Sequence, residues 1–328
     1  MEAFHADELM AQARAGVNTR SGGIRNFMLE QHRSFFASLP YVFVAAPDAE
    51  GWPLATLLEG DPGFIDSPDP VTLHVAALPR PDDPAAGTLR VGDDVGILGI
   101  ELPTRRRNRA NGVIAGRDAS GFTVSVRQSF GNCPQYIQRR DMRRANGAPG
   151  RVRVFDRLED DGALALIAKA DTLFVASRSR ADAGTAGGAD ISHRGGRPGF
   201  VRVQGDTLSI PDFRGNRFFN TLGNLVGEPR ASLLFADFDS GDVLQLQGLV
   251  TIDWDGSCAK EYQGAERVWH FAVRRGWYRP HAAALRGTLV EYAPTTLRTG
   301  TWSAWSDSAI PESRCAETSP RRLPPPAA

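Results

Sequence analysis

An all-β chain with peripheral helices, carrying the same small antiparallel barrel twice, is predicted by three observations. Gly 34 and Pro 22 in 328 residues supply many tight turns and hence short strands. Apolar or alternating runs of strand length recur between those turns. One order of segments also occurs twice. Six short strands per copy suit a small antiparallel barrel, and two copies in one chain would mimic the subunits of a homodimer.

The elements follow in order. Residues 6–15 (ADELMAQARA) read as a short amphipathic helix. Leu9 and Ala13 lie four apart, and Asp7 and Glu8 occupy the first turn, where negative charge suits the helix dipole. A second helical stretch covers about 25–38 and stops before Pro40. The run 41–46 (YVFVAA) is a buried strand ending in the turn cluster 47–51. Residues 71–75 (VTLHV) and 122–126 (FTVSV) alternate as strands do. Residues 201–203 and 207–210 read as two strands joined by a tight turn containing Gly205. The stretch 242–253 (DVLQLQGLVTID) alternates again, with Gly248 as a bulge or close approach. The end, 298–328, is rich in Ser, Pro and Arg and reads as a mobile tail. The expected organisation is a helical segment over 1–34, a first unit over 35–150, a second over 151–297 and the tail over 298–328.

The duplication is read segment by segment. In the first unit LPYVFVAA (39–46) precedes GDPGFI (60–65), TLHV (72–75) and VGILGI (95–100), and a strand near 108–113 closes the set. In the second, DTLFVAS (171–177) precedes GRPGFV (196–201), TLSI (207–210) and ASLLF (231–235), and LQLQGL (244–249) closes it.

Composition excludes several classes. Hydrophobic residues at 41% and charged residues at 23% are ordinary for a globular chain, which rules out disorder throughout and collagen-like sequence. The longest apolar stretch, 41–47, falls far short of the ~20 residues of a spanning helix. No basic segment followed by an apolar one opens the sequence, and three widely spaced cysteines suit a reducing compartment without a disulfide framework. The expected location is cytoplasmic. Thirty-eight basic residues balance thirty-eight acidic ones, against a dedicated nucleic-acid or membrane-surface binder. Only Lys169 and Lys260 are lysines; a GC-rich genome accounts for the bulk arginine excess, so an arginine cluster needs its context to mean more. Phosphate-loop, zinc-protease, nucleophile-elbow and C-x-x-C signatures are missing, and the six histidines are scattered, so no metal site is expected. The glycine-rich stretch 184–188 lies too far from a strand, with no helix after it, for a dinucleotide fold.

Two polar constellations stand out in the second unit. Residues 190–197 (DISHRGGR) read as a polar loop leading into a hairpin. Residues 210–224 (IPDFRGNRFFNTLGN) open at a strand end and continue into a helix with Phe218, Leu222 and Leu225 on one face. Arg214, Asn216 and Arg217 then gather at a helix N-terminus, with Asn220 and Thr221 one turn on. Backbone N–H groups, the positive end of the dipole and forked guanidinium donors are what a phosphate needs. A solvated loop with ordinary Asn and Asp caps is the plainer alternative.

These segments resemble the flavin-binding split barrels related to pyridoxamine 5′-phosphate oxidase. The resemblance rests on DISHRGGRPGFV (190–201), IPDFRGNR (210–217) and the stretch 223–229 before RASLLF (230–235). It covers about 166–255 and, more weakly, 35–145. It implies two tandem split barrels with FMN between them, the phosphate held by basic and hydroxyl side chains. By this resemblance Arg217 takes the phosphate-binding place, with Arg214, Asn216, Asn220 and Thr221 beside it. Arg197 approaches from the hairpin, and Ser192, His193 and Arg194 belong to the same cofactor-binding segment. Pro211 stands where the oxidases carry a hydroxyl residue, and the strand 243–247 lacks their glutamine at its first position. The pattern is therefore closer to flavin-nucleotide-binding relatives than to the oxidases proper, and the substrate is left open.

The first unit lacks the 190–194 pattern but keeps TRRRNRANG (104–112). Arg107 and Asn108 are expected on the opposite wall, giving one asymmetric FMN site per chain. The stretch 128–137 (QSFGNCPQYI) would bring Asn132, Cys133 and Gln135 near the flavin ring. Cys133 there is a redox thiol or, more commonly, a packing residue, and Tyr136 and Trp269 read as core. The implied function is an FMN-dependent oxidoreductase acting on a small substrate, with or without NAD(P)H. No residue is assigned as acid or base, and His193 is the first candidate. The chain would be a monomeric pseudo-dimer or a homodimer, with no nucleic-acid or membrane partner. The alternatives are a non-catalytic flavin or haem carrier on the same fold, and a barrel used for protein interaction.

Overall fold

The computed structural model of the chain describes residues 2–19, 23–145 and 147–302. It is mostly β, with four α-helices among the described residues. Helices α1 (Ala6–Arg14) and α2 (Glu30–Ser38) lead into seven strands: β1 (Tyr41–Pro47), β2 (Pro53–Glu59), β3 (Ile65–Asp69), β4 (Thr72–Val75), β5 (Asp94–Glu101), β6 (Arg106–Arg117) and β7 (Phe122–Gly131). After β8 (Arg139–Arg144), β9 (Arg153–Phe155) and α3 (Asp161–Lys169) come β10 (Thr172–Arg178), β11 (Ala189–Gly195), β12 (Arg202–Gln204) and β13 (Thr207–Phe213). Helix α4 (Asn220–Gly227), β14 (Arg230–Ala236), β15 (Val243–Asp253), β16 (Ala265–Arg279) and β17 (Leu285–Glu291) complete the order.

The duplication seen in the sequence is a duplication of topology. The first sheet runs β2-β1-β5-β6-β7-β4-β3, and the second β11-β10-β14-β15-β16-β13-β12 with β9 added on β16. Strands β8 and β17 pair with each other outside both sheets.

Alternation explains why the central strands are apolar throughout. In β1, Val42, Val44 and Ala46 enter the core of the first sheet, while Tyr41, Phe43 and Ala45 face the second. In β10, Leu173 and Val175 enter the second sheet's own core, while Phe174 and Ala176 face the first. Such strands are buried on both faces, as a continuous run such as YVFVAA requires. Three apolar clusters result, one within each unit and one between them. Gly96 of β5 marks the closest approach, because a Cβ there would lie 2.8 Å from the Asp190 Cα of β11. Gly60 and Gly196 open the repeated G-x-P-G-F segments for a similar reason. A Cβ on either would run into the ring of Phe64 or Phe200, at 2.2 and 2.4 Å.

Several expectations are corrected. Residues 190–195 are no loop: they belong to β11, which pairs with β10 along its whole length, and only Gly196 and Arg197 lie beyond it. Its polar residues misled the reading because they face a cleft rather than a hydrocarbon core. The second helix begins at Glu30, not near 25. The helix after Gly215 begins only at Asn220, because Arg217 and Phe219 hold left-handed backbone conformations, with φ of 62° and 61°. Phe218 therefore lies outside the helix and packs against Phe4 and Phe130. The Gly248 bulge is present, as a register shift at Gln247/Gly248. Of the expected tail, residues 303–328 lie outside the described residues. Ahead of them Tyr262 Oη donates to Gly300 O and Trp302 Nε1 to Phe200 O.

Candidate functional site

A cleft of about 600 Å3 opens where β6 of the first sheet meets β11, β13, β16 and the start of α4 from the second. Period-two alternation puts Arg107 and Arg109 of β6 on its wall, and Asn108 on the other face of the strand. Strand β11 contributes Ser192, His193 and Arg194. The loop ahead of α4 adds Asn216 and Arg217, and the helix itself Asn220 and Thr221. The lining holds five arginines (Arg107, Arg109, Arg194, Arg217, Arg267) against two carboxylates, Asp212 and Glu266.

Arg109 is locked between the sheets. Its Nε donates to Ile191 O at 3.1 Å, its Nη1 to Asn220 Oδ1 at 3.3 Å, and it stands 3.4 Å from the Asp190 carboxylate. Asn111 of the same strand donates to Asp190 as well. On the second sheet Asp212 accepts from both Arg194 and Arg267, and Thr221 Oγ1 lies 2.8 Å from Ser192 Oγ. Arg217 reaches Glu266 at only 3.7 Å and is the loosest of the five.

His193 is the pivot. Arg107 Nη1 donates to its Nδ1 at 3.2 Å, so the ring proton sits on Nε2. Burial first, then the charges of Arg107, Arg194 and Arg140, hold its pKa well below the ordinary histidine value, so the ring is neutral. Among the described residues Nε2 has no partner, and neither do Nε of Arg107, Arg194 and Arg217, all of them buried donors. Burial brings the Arg107 pKa down to about 10, which leaves it a cation at neutral pH. A row of unpaired buried donors under excess positive charge fits an acceptor-rich anionic ligand, since each lone donor otherwise costs about 1–3 kcal/mol.

An adjoining chamber of about 420 Å3 shares Arg107, His193, Arg194, Phe213 and Gly215 with the cleft. Cys133, Gln135 and Tyr136 line it, and the Tyr136 ring stacks on Phe213 at 5.0 Å between centroids. Cys133 is a free thiol 3.6 Å from Gln135 Oε1. Trp269 is fully buried in the second core.

Of the residues singled out in the sequence, Arg107, Ser192, His193, Arg194, Asn216, Arg217, Asn220 and Thr221 line the cleft. Asn132 joins them there, while Cys133 and Gln135 line the chamber. Asn108, Arg197 and Arg214 line neither. Arg197 turns away to donate to Thr299 O. Sequence reasoning missed Arg109, two residues from Arg107 and so on its face of the strand. It also missed Arg267 and Glu266, because β16 went unread.

Helix α1 backs the site. It packs on α4, where Glu8 Oε1 accepts from Asn220 Nδ2 at 2.6 Å and His5 Nε2 lies 2.9 Å from Asn224 Oδ1. Burial raises the Glu8 pKa to about 8.

The chain is similar in structure, over part of its length, to pyridoxamine 5′-phosphate oxidase-like, flavin-binding and HutZ-type split-barrel proteins. One is an FAD-binding protein from Mesorhizobium loti (10% identity, 39% of this chain, 97% of that one, TM-score 0.27). Another is a Clostridium acetobutylicum protein related to general stress protein 26, of the pyridoxinephosphate oxidase family (15%, 39%, 92%, TM-score 0.26). A third is HutZ, the heme storage protein from Vibrio cholerae (12%, 40%, 96%, TM-score 0.25). No family model matches the sequence, and no curated protein matches it. Among the described residues, no helix is long and apolar enough to cross a membrane, and no group of three or more His, Cys, Asp and Glu is placed to hold a metal ion.

Proposed function

We propose that the chain is an FMN-binding oxidoreductase acting on a small substrate, built as two fused split barrels that form a pseudo-dimer with one flavin site. The observation that carries this reading is the cleft between the sheets, where arginines from both converge and buried donors are left unpaired. Units over 35–150 and 151–297 are the domains of this proposal.

In this arrangement Arg217 and Arg194, with the hydroxyls of Ser192 and Thr221 and the first N–H groups of α4, would hold the phosphate. Helix α4 has no side-chain cap, so its first N–H groups are free for that purpose. His193 would offer Nε2–H and Arg107 its Nε–H to acceptor atoms of the ligand. Phe213 and Tyr136 form an apolar wall that keeps water from the chamber, and that chamber would take the substrate. When bound, the flavin supplies the two-electron chemistry, for which no protein acid or base is needed. The residues named here position, orient and desolvate.

The buried, neutral ring of His193 supports a second reading, a haem carrier, in which the ring proton would leave Nε2 for Nδ1, breaking the Arg107 bond, so that the Nε2 lone pair could bind iron. The absorption spectrum of purified protein separates the two. A flavin spectrum that bleaches with NADPH and returns in air supports the enzyme. A flavin spectrum inert to reductants points to a carrier, and a Soret band to haem. Colourless protein that ignores added FMN would overturn the proposal.

A further inference from the structure

A second cleft of about 490 Å3 lies between the sheets, where Leu57 and Leu58 of β2 face Val243 and Arg279. Strand registers show it to be the duplicate of the first. Phe43 pairs with Leu57 and Leu98, as Phe174 pairs with His193 and Leu234. Leu57 therefore stands where His193 does, Leu58 where Arg194 does, and Thr56 where Ser192 does. One strand outward, Gln245 takes the place of Arg109 and Val243 that of Arg107. At the neighbouring strand end, Arg279 stands for Asn132. Two of the arginines that make the first cleft cationic, Arg107 and Arg194, are aliphatic in the second, and a third, Arg109, is a neutral amide.

The polar groups that remain converge on Asp83, and Arg279 Nη2 also reaches Asp82 at 3.4 Å. Asp83 is buried and accepts from Thr56 Oγ1 at 2.7 Å, Arg279 Nη1 at 2.8 Å, Ala85 N at 2.8 Å and Gln245 Nε2 at 3.0 Å. Of the counterparts of Thr56 and Gln245 in the first cleft, Ser192 meets Thr221, and Arg109 meets Asn220 and, at 3.4 Å, the Asp190 carboxylate, which lies outside that cleft's lining. Arg279 is buried and keeps a further Nε–H without a partner among the described residues. In the lining Arg80 and Arg279 face Glu59 and Asp83. Asp82, beside the lining, also pairs with both arginines, so loss of the Asp83 charge leaves Arg279 with Asp82 as its only ion-pair partner among the described residues.

We infer that the second cleft is an anion site closed from within: the Asp83 carboxylate is its resident anion, and removing it opens the cleft to an external oxyanion such as phosphate. Once Asp83 is gone the buried Thr56 hydroxyl loses its acceptor, while Gln245 keeps Ala55 O and Arg279 keeps Gln245 Oε1 and Asp82. The Thr56 hydroxyl and the lone Nε–H of Arg279 are then the donors that call for a new acceptor. The inference stands whichever ligand fills the first cleft. The two clefts differ in balance: the first lining holds five arginines against two carboxylates, the second two against two.

Equilibrium dialysis of the full chain against inorganic phosphate tests it, with wild type, Asp83→Ala, Asp83→Ser and Asp83→Ser/Arg279→Met. Serine keeps a cap for the Ala85 N–H, so it carries the test if the alanine variant fails to fold. The expected result is one more phosphate per chain in the Asp83 variants than in wild type, and loss of the extra one in the double variant. No gain in a variant with wild-type circular dichroism would overturn the inference, as would a gain that survives Arg279→Met. Wild type binding no phosphate would count against the reading of the first cleft alone, because the increment on losing Asp83 still decides this one.

Discussion

Phe43 and Phe174 stack face to face across the contact between the sheets, with ring centroids 3.5 Å apart and planes 16° from parallel. They occupy the same position in the duplicated topology, each on the strand that sits second in its sheet. The pair therefore marks the axis of the duplication, midway between the open cleft and the closed one.

Truncating either ring should loosen that contact at its centre. Phe43→Ala or Phe174→Ala is expected to cost roughly 3–5 kcal/mol, the usual range for a buried phenylalanine. The double variant should cost less than the sum of the two, because neither ring keeps its partner. Urea unfolding of the three proteins measures both quantities.

Gly96→Ala should act on the same contact by overpacking. The added methyl would fall 2.8 Å from the Asp190 Cα and 2.9 Å from Ala189 O, both backbone atoms that cannot swing aside. A loss of roughly 1–3 kcal/mol is expected, together with weaker ligand binding, because Asp190 anchors Arg109 and Asn111 beside the cleft. Gly87→Ala, where a Cβ meets nothing within 4 Å, should leave binding unchanged.

The duplication was legible because paired strands repeat their apolar runs at matching intervals, and because Gly60 and Gly196 have the same steric need beside a phenylalanine. The arginine of β6 and the polar residues of β11 were also visible as candidates. Their meeting was not, because contacts between β6 and β11 join residues some eighty positions apart and no local pattern encodes them. The polar face of β11 looked like a loop, since a strand facing a polar cleft lacks the apolar alternation that identifies strands. Strand β16 was hidden by Arg274, Arg275 and Gly276 in its middle, and the start of α4 by two left-handed residues that no motif announces.

Stability should respond to pH through Glu8. Its folded pKa, about 8, lies above the usual carboxyl value because burial disfavours the charge. The folded state thus holds this proton more tightly than the unfolded chain. The contribution is full below pH ~4.5, falls as pH rises towards 8, and is level beyond that. Glu8→Gln removes the charge, so the variant should gain thermal stability relative to wild type as pH is raised from about 6.5 to 8.5. His5, whose pKa is lowered mainly by burial, has the opposite sign: its contribution is present above ~6.5 and lost as pH falls below. Its Nε2 lies 3.8 Å from the Glu8 carboxylate, so the comparison is read above pH ~6.5, where His5 is neutral in both folded proteins. A melting-temperature difference that stays constant with pH would contradict the assignment.

The most direct measurement is the affinity of apoprotein for FMN and for riboflavin, which lacks the phosphate, in wild type, Arg107→Ala and Arg217→Ala. One guanidinium from each sheet is removed in turn. Wild type should bind one FMN per chain and strongly prefer it to riboflavin. Each variant should bind FMN roughly 10- to 100-fold more weakly, as expected for losing about 1.5–3 kcal/mol of charge-assisted hydrogen bonding, and Arg217→Ala should lose the preference. Equal affinity for the two flavins in wild type, or unchanged FMN binding in both variants, would contradict an anionic flavin held between the sheets.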